Sequence, residues 1–465
     1  MIAARKTARP AKSARISASI PTLAERMAAG KALRMHLPRS ACAAWPQSRR
    51  DPVALLQASN AGRLTHLVPI RYGRMLHSPL NFLRGSAAVM AWDLGQAPRS
   101  RLVTQLCGDC HLANFGGFAS PERSLLFGIN DFDETLPGPF EWDLQRLAAS
   151  FVVAARMRGA NARACRDAAA TAVRTYRTRM AELAAMHALD QWYLPLEMNA
   201  LERVAKSAQT RRRRRKLIAQ AHLHTSSNVF PRLTQLVAGR PRIVDRPPLI
   251  YHPKNPAFER EAASFWKRYV ETLPEERRVL IDRYRLIDMA VKVVGVGSVG
   301  TRCAIALLMA APEDPLFLQL KEARASVLEP FAGRSRYANH GLRVVVGQRI
   351  LQAASDIFLG WSRLETPAMD FYVRQLRDMK VSLDLETMSV GELVEYAEAC
   401  GWALARAHAR AADPAVIAGY LGRGDTFDRA ITEFAIAYAD RTERDHEALG
   451  KAVKAGRIHA IVEKD

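Results

Sequence analysis

The run Gly108-Asp109-Cys110-His111-Leu112-Ala113-Asn114, followed by Asn130-Asp131-Phe132-Asp133, constrains this chain more than any other feature. An apolar strand (Leu102, Val103, Leu106) enters it through a glycine, so the Asp109 carboxylate emerges at a strand end, where loops carry chemistry. A hairpin is expected next, with strands near Asn114–Phe118 and Leu125–Ile129, and it returns Asp131 to the side of Asn114. Asp133 shares a face with Asp131 if the strand persists, and takes the opposite face if the chain turns. A helix after Pro139 then opens with Asp143 in its first turn, where an acid is stabilising in itself.

These residue types at this spacing suit magnesium-nucleotide phosphotransfer, in which one carboxylate positions a hydroxyl while an amide and a second carboxylate hold the metal. Asp109 fits the first role. Asn114 and Asp131 offer the oxygen ligands that Mg²⁺ prefers. His111, Asp133 and Asp143 are expected to support them, Asp143 by accepting the loop's backbone N–H groups. The plain alternative is that Asp109 and Asp131 cap turns. The same stretch also spells Cys107-Gly-Asp-Cys110-His111, the pattern of c-type haem attachment. Covalent haem needs export, and no apolar segment follows the basic N-terminus to signal it. Zinc lacks a second Cys/His pair at a suitable spacing. The two thiols would be redox-active only if the loop brings them together.

A second glycine-rich feature lies far downstream. Gly295, Gly297, Ser298 and Gly300 sit between one strand-like run and another (Cys303–Met309), and Leu316-Phe-Leu-Gln-Leu leads to Lys321. A Rossmann fingerprint would place a helix directly after such glycines. Strand, glycine turn, strand and turn, ending in a strand that carries Lys321, instead reads as a phosphate-covering flap with a lysine for the phosphates. Arg71, Arg74 and Arg84 are candidates to meet an anionic substrate, against the simpler reading of solvated arginines.

Along the chain, residues 1–60 read as a basic N-terminal tail and lead-in helix, and 61–160 as the half of a large lobe that carries the motif loop. Residues 161–285 read as a helical insert, closed by a Pro-rich connector loop from Pro231 to Pro256. Residues 286–385 are strand-rich, with a further strand pair near Asp356–Leu364 and Phe371–Arg377. Residues 386–465 return to helix. The expected class is α+β, helix-rich, with a small antiparallel-sheet nucleotide lobe. The chain has 68 Lys and Arg against 46 Asp and Glu, a net charge of +22, which attracts polyanions such as nucleotides. The dense run Arg211–Arg215 lies on a helical segment without interleaved aromatics, so no specific nucleic-acid motif accompanies it. No apolar run is long enough for a membrane span. Six scattered cysteines fit a reducing compartment and a cytoplasmic location.

Taken together, Gly108-Asp109-x-His111-x-x-Asn114, Ile129-Asn-Asp131-Phe-Asp133 and Trp142-Asp143-Leu resemble the catalytic loop, metal-binding Asp and structural Asp of aminoglycoside-phosphotransferase-like members of the protein-kinase-like superfamily. Residues 295–300 with Lys321 resemble its nucleotide flap and phosphate lysine, with Glu329 and Gln348 as candidate partners of the lysine. Arg71-Tyr-Gly-Arg74-Met, Phe82-Leu-Arg-Gly-Ser, Cys107-Gly-Asp-x-His-Leu-x-Asn-Phe-Gly and Gln352-Ala-Ala-Ser-Asp356-Ile-Phe-Leu-Gly-Trp resemble the bacterial family called domain of unknown function 2252. The kinase resemblance implies a bilobal fold, ATP and Mg²⁺ as cofactors, and transfer to an unknown small-molecule or protein acceptor bearing a hydroxyl. A nucleotidyl transferase or a non-catalytic nucleotide-binding protein would use the same lobe. The flap and lysine follow the motif loop here instead of preceding it, which implies a circular permutation.

Overall fold

The computed structural model describes residues 20–46, 50–252, 256–376 and 378–463. The basic tail expected at the N-terminus lies outside the described residues over 1–19, as does Arg377 at the end of an expected strand.

Four short strands surround the motif loop: β1 (Val103–Leu106), β2 (Phe115–Ala119), β3 (Leu125–Ile129) and β4 (Leu136–Pro139). The expected hairpin is present, β2 and β3 pairing antiparallel with Phe115 opposite Ile129, while β1 pairs with β4. Behind them stand the helices Glu141–Met157, Ala162–Ala185, Val390–Ala411 and Thr426–Lys454. The helix Glu141–Met157 is buried from Glu141 to Ala155, because its non-polar side chains surround nearly its whole circumference. Its Leu147, Phe151 and Val152 join Leu106, Leu112, Tyr176 and Leu404 in one large core, so the motif loop rests directly on the helical body. Among the described residues no helix is long and apolar enough to cross a membrane.

The connector expected from Pro231 to Pro256 is not a plain loop. It forms a hairpin of β5 (Thr234–Val237) and β6 (Arg240–Ile243), and then β7 (Ile250–Tyr251) joins the main sheet beside β8 (Arg285–Lys292). Pro231 lies inside the helix Ser226–Leu233, Pro241 lies in the short strand β6, and Pro247 and Pro248 form the turn before β7, where a missing N–H costs little. That sheet continues through β9 (Cys303–Ala311), β10 (Asp314–Ala323), β11 (Gly360–Glu365) and β12 (Ala368–Gln375), in the order β11-β12-β10-β9-β8-β7, antiparallel throughout. A last short strand, β13 (Val381–Ser382), pairs with β2 and ties the sheet unit to the motif hairpin.

Both faces of this sheet are covered, and alternation along its strands decides what each side chain meets. Ala304, Ala306 and Leu308 of β9 pack with Phe265 and Tyr269 of the helix Pro256–Glu271. Ile305, Leu307 and Met309 pack on the other side with Val229 and Ile243. On β10, Leu316, Leu318 and Leu320 take the first side and Phe317 the second. Each fully buried leucine contributes about 1.5–3 kcal/mol to holding that register. A one-residue slip would turn the whole set over. The register therefore puts Gln319 and Lys321 on the second side, towards the motif loop.

Candidate functional site

The backbone of the motif loop is held from below. Asp143 accepts the Cys107 N–H at 2.8 Å and the Gly108 N–H at 3.0 Å, and its Oδ2 lies 3.2 Å from His408 Nε2. His408 Nδ1 in turn meets the Tyr176 hydroxyl at 2.9 Å. Ser150 accepts the Leu112 N–H at 2.9 Å, and the Tyr396 hydroxyl donates to the Leu112 carbonyl at 2.8 Å. Asp143 thus stands where the sequence reading put it, under the loop's N–H groups. Gly108 has φ +86°, and a Cβ there would lie 2.3 Å from the Glu134 carbonyl oxygen, so the turn into Asp109 admits glycine alone.

Asp109 does not stand free. Arg146, one helical turn beyond Asp143, donates its Nε–H to Asp109 Oδ1 at 2.5 Å and makes a second contact to the same oxygen. Oδ2 faces His111, whose Nε2 is 3.7 Å away. Burial pushes the Asp109 carboxyl up, opposed chiefly by Arg146. Burial, with Arg146 adding to it, drives His111 well below its ordinary range, so its imidazole is neutral; its Nδ1 has no partner. Asn114 donates its amide N–H to the Asp109 carbonyl at 2.7 Å, which leaves Oδ1 as its available ligand atom.

Across the hairpin, the chain turns after β3 so that Asp131 and Asp133 both face Lys321. The lysine, only 3% exposed, donates to Asp133 Oδ2 at 2.7 Å and lies 3.6 Å from Asp131 Oδ2. These two carboxylates, and not Glu329 or Gln348, are its partners. Glu329 stands 3.9 Å from His340, and Gln348 is hydrogen-bonded to Gln352. Asp133 also accepts from the Tyr372 hydroxyl at 2.6 Å and from Ser298 at 3.2 Å. It is therefore as central to the charge cluster as Asp131. Burial acts to raise Asp131, but Lys321, Arg374 and Lys380 outweigh it and hold the carboxylate well below its usual range. Burial likewise opposes the charge on Lys321, yet Asp131 and Asp133 raise it well above a free lysine. At Lys380 burial, with Arg374 and Lys321 adding to it, outweighs the same two carboxylates and pushes the amine down to about 7.

The glycine loop closes over this cluster. Gly295 and Gly300 have φ +68° and +89°. Arg63 donates to the carbonyls of Gly297 at 2.8 Å and Val299 at 2.6 Å, and Arg74 to that of Gly295 at 2.5 Å. The loop is thus clasped by the N-terminal helices, with Val296 packed among Val53, Leu56 and Phe82. Ser298 reaches Asp133, while a Cβ on Gly297 would lie 3.1 Å from the Arg84 carbonyl oxygen.

Two cavities flank the wall formed by Asp131, Gly295 and Ser298. One, about 380 Å³, is lined by Lys321, Lys380, Arg374 and Gln375 beneath the sheet. The other, about 390 Å³, holds Asp109, His111, Asn114 and Asp133 together with Arg63, Arg71 and Arg324. Asp109, His111, Asn114, Asp131, Asp133, Gly295, Gly297, Ser298 and Lys321 line these cavities, with Asp143 below; Arg74 is instead paired with Glu463, and Gly300 and Glu329 line neither cavity. The set offers hard oxygen donors, Asn114 Oδ1 and the carboxylates of Asp131 and Asp133, which fits Mg²⁺ better than a soft metal.

Sequence reading missed Arg146, Tyr372, Arg374 and Lys380. Arg146 was within reach, because its spacing from Asp143 puts both on one helix face. Tyr372 and Arg374 are aligned with Lys321 and Gln319 only by the pairing of β12 with β10. The two thiols do come together: Cys107, Cys110 and Asp143 place ligand atoms within 4.8 Å of one another. All three are buried, and burial pushes the Cys110 thiol up to about 12. Asp143's oxygens are already taken by the loop and His408. Such thiols are inert, neither redox-active nor apt to release their protons to a metal.

A family model described as "Uncharacterized protein conserved in bacteria (DUF2252)" matches residues 63–452. No curated protein and no solved structure matches the chain. The match takes in the whole charge cluster and the lining of both cavities except Leu55, Ala58 and Ser59. The chain belongs to this family.

Proposed function

We propose that this member of the DUF2252 family is an ATP- and Mg²⁺-dependent phosphotransferase of the kinase-like type, acting on a hydroxyl-bearing acceptor. The observation that carries the reading is the convergence at Asp131 and Asp133. There the sheet lysine Lys321, the glycine-loop Ser298 and, across a shared wall, Asp109 with Asn114 serve two adjoining cavities. The order of the parts supports a bilobal arrangement read through a circular permutation, since the sheet unit follows the motif loop and helix Val390–Ala411 returns to brace it.

On this reading the nucleotide lies beneath the sheet, its phosphates towards Lys321 and the glycine loop, and the acceptor lies in the cavity of Asp109. Asn114 and Asp131 would hold Mg²⁺, which supplies charge neutralisation at the phosphates. The acceptor oxygen forms a bond to the terminal phosphorus as the bond from that phosphorus to the nucleoside diphosphate oxygen breaks. The hydroxyl proton passes to Asp109 Oδ2, the oxygen that Arg146 leaves uncovered. Arg146, by gripping Oδ1, fixes the plane of the carboxylate. That grip also favours a second reading, a nucleotide-binding protein without turnover, because the guanidinium holds one carboxylate oxygen and opposes the rise in proton affinity that burial brings.

Calorimetric titration with magnesium-ATP tests the proposal. Binding is expected in the wild type and is expected to be lost in Lys321→Met. No binding at millimolar nucleotide would sink it. Binding without γ-phosphate loss across a panel of hydroxyl compounds would select the second reading.

A further inference from the structure

Arg50 sits 2.6 Å from Asp93 and 2.7 Å from Asp445, and Arg177 sits 2.8 Å from Asp428. Arg343 and Arg406 are instead buried on backbone carbonyls. The cavity that contains Asp109 gathers four arginines that likewise lack a close carboxylate partner. Arg71 is 2% exposed and donates only to Asn60 Oδ1 at 2.5 Å and to the Gly85 carbonyl at 2.9 Å; its Nε has no partner. Arg63 donates to the backbone carbonyls of Ser59, Gly297 and Val299. Arg84 donates to Asn81 Oδ1, and Arg324 to the Ala61 carbonyl. The nearest carboxylate contact of the four is Arg324 to Glu322 at 3.9 Å. Glu322 is already engaged by the Arg302 N–H at 2.8 Å and by the Arg302 guanidinium at 3.3 Å.

A buried charge without a counter-charge is costly, and proteins normally pair it. Burial, with Arg324 adding to it, pushes Arg63 down to about 10 in spite of Glu134, Glu322 and Asp133, and burial with Arg63 adding to it pushes Arg71 down to about 9. Among the described residues no carboxylate comes nearer than 3.9 Å to any of these four arginines. The acids of the same lining are engaged elsewhere: Asp109 by Arg146, Asp131 and Asp133 by Lys321, Glu322 by Arg302 and Glu134 by the Val327 N–H, which leaves the arginines open to an added anion. Guanidinium groups match carboxylate and phosphate oxygens in pairs. The same cavity carries an apolar wall of Trp92 and Phe331, and its volume of about 390 Å³ suits a small molecule and excludes a folded partner.

We infer that this cavity takes a small acceptor bearing a carboxylate or phosphate held by Arg63, Arg71, Arg84 and Arg324, with an apolar body against Trp92 and Phe331 and its hydroxyl at Asp109. The inference names the acceptor class for the phosphotransferase reading and rests on it for the role of the hydroxyl. The oxyanion site itself is tested without nucleotide.

The experiment titrates the full chain calorimetrically, at about 0.15 M salt to screen its general positive charge. The probes are glycerol 3-phosphate and 3-(4-hydroxyphenyl)propanoate, each beside its neutral counterpart, glycerol and the propanamide. At least one anion is expected to bind, roughly tenfold or more tighter than its neutral counterpart, and which anion binds separates phosphate from carboxylate. Arg71→Gln and the more exposed Arg324→Ala should each weaken it by roughly tenfold. Arg166→Ala, which removes an exposed positive charge that lines neither cavity, should leave it unchanged. Equal binding of anion and neutral compound, undiminished binding in both Arg71→Gln and Arg324→Ala, or no binding of any probe would overturn the inference. Loss of magnesium-ATP binding alone would instead count against the phosphotransferase reading.

Discussion

The motif loop, 107–114, and the glycine loop, 293–302, face the same cluster of charges but are held by opposite means. Beneath the motif loop, buried acceptors take backbone N–H groups: Asp143 holds two and Ser150 a third, on a helix that is itself part of the core. Around the glycine loop, arginines donate to backbone carbonyls from outside, and Arg74, at 21% exposure, is also shared with Glu463. A buried acid with three donors is costly to disturb. Arg74, partly exposed and shared between the Gly295 carbonyl and Glu463, is cheaper to displace. The first loop is therefore set in place by the fold, while the second is tethered and free to adjust, as a segment that must admit a ligand requires.

Three measurements press on that contrast, the strongest first. Asp143→Ala removes the acceptor of two backbone N–H groups and the partner of His408, and should cost about 3–5 kcal/mol in a denaturant titration. A loss under about 1 kcal/mol would mean that the motif loop is no better anchored than the other. Gly300→Ala forces a side chain into φ +89° with its Cβ 3.1 Å from Arg63 Cβ. It should cost about 1–2 kcal/mol, with faster amide exchange confined to residues 293–302. Exchange that speeds up equally in 107–114 would join the two loops into one unit.

The smallest effect is a pH dependence between the loops. Because Lys380 lies near 7 in the folded protein, the fold favours its neutral amine. That contribution to stability is whole above the ordinary lysine range and lost as pH falls towards 7. Protonation then adds a positive charge to the cavity beneath the sheet, so magnesium-ATP affinity should rise severalfold from about pH 8 to about pH 6. The rise should exceed that in Lys380→Met, which subtracts the nucleotide's own titration. Parallel slopes in the two proteins would place Lys380 outside the phosphate field.

Much of the first loop was legible in the sequence, and little of the second. Strand, glycine and hairpin locate Asp109, Asn114 and Asp131 through local rules, and the first-turn acid Asp143 follows from a helix start. The alternation of β9 and β10 was equally readable, and with it the emergence of Lys321. What could not be read depends on pairing at long range. Asp133 meets Lys321 across 188 residues and Tyr372 across 239, and Arg63 reaches Gly297 across 234. Local patterns carry no register between such partners, so the lysine's partner was sought nearby, at Glu329 and Gln348. The connector from Pro231 to Pro256 failed for a related reason: its prolines suggest a loop, but β7 is recruited by a sheet formed later in the chain.

The same separations set a timetable. Sequence-distant contacts must close large loops before they are rewarded, which slows folding and makes it cooperative. During synthesis the hairpin with Asp131 and Asp133 emerges long before Lys321 and Tyr372, and His408 comes later still to meet Asp143 across 265 residues. Two carboxylates would wait side by side, without their lysine, while 188 of the chain's 465 residues are added. A nascent chain lacks the closed charge cluster until Tyr372 has been made, and lacks the brace under the motif loop until His408 has followed.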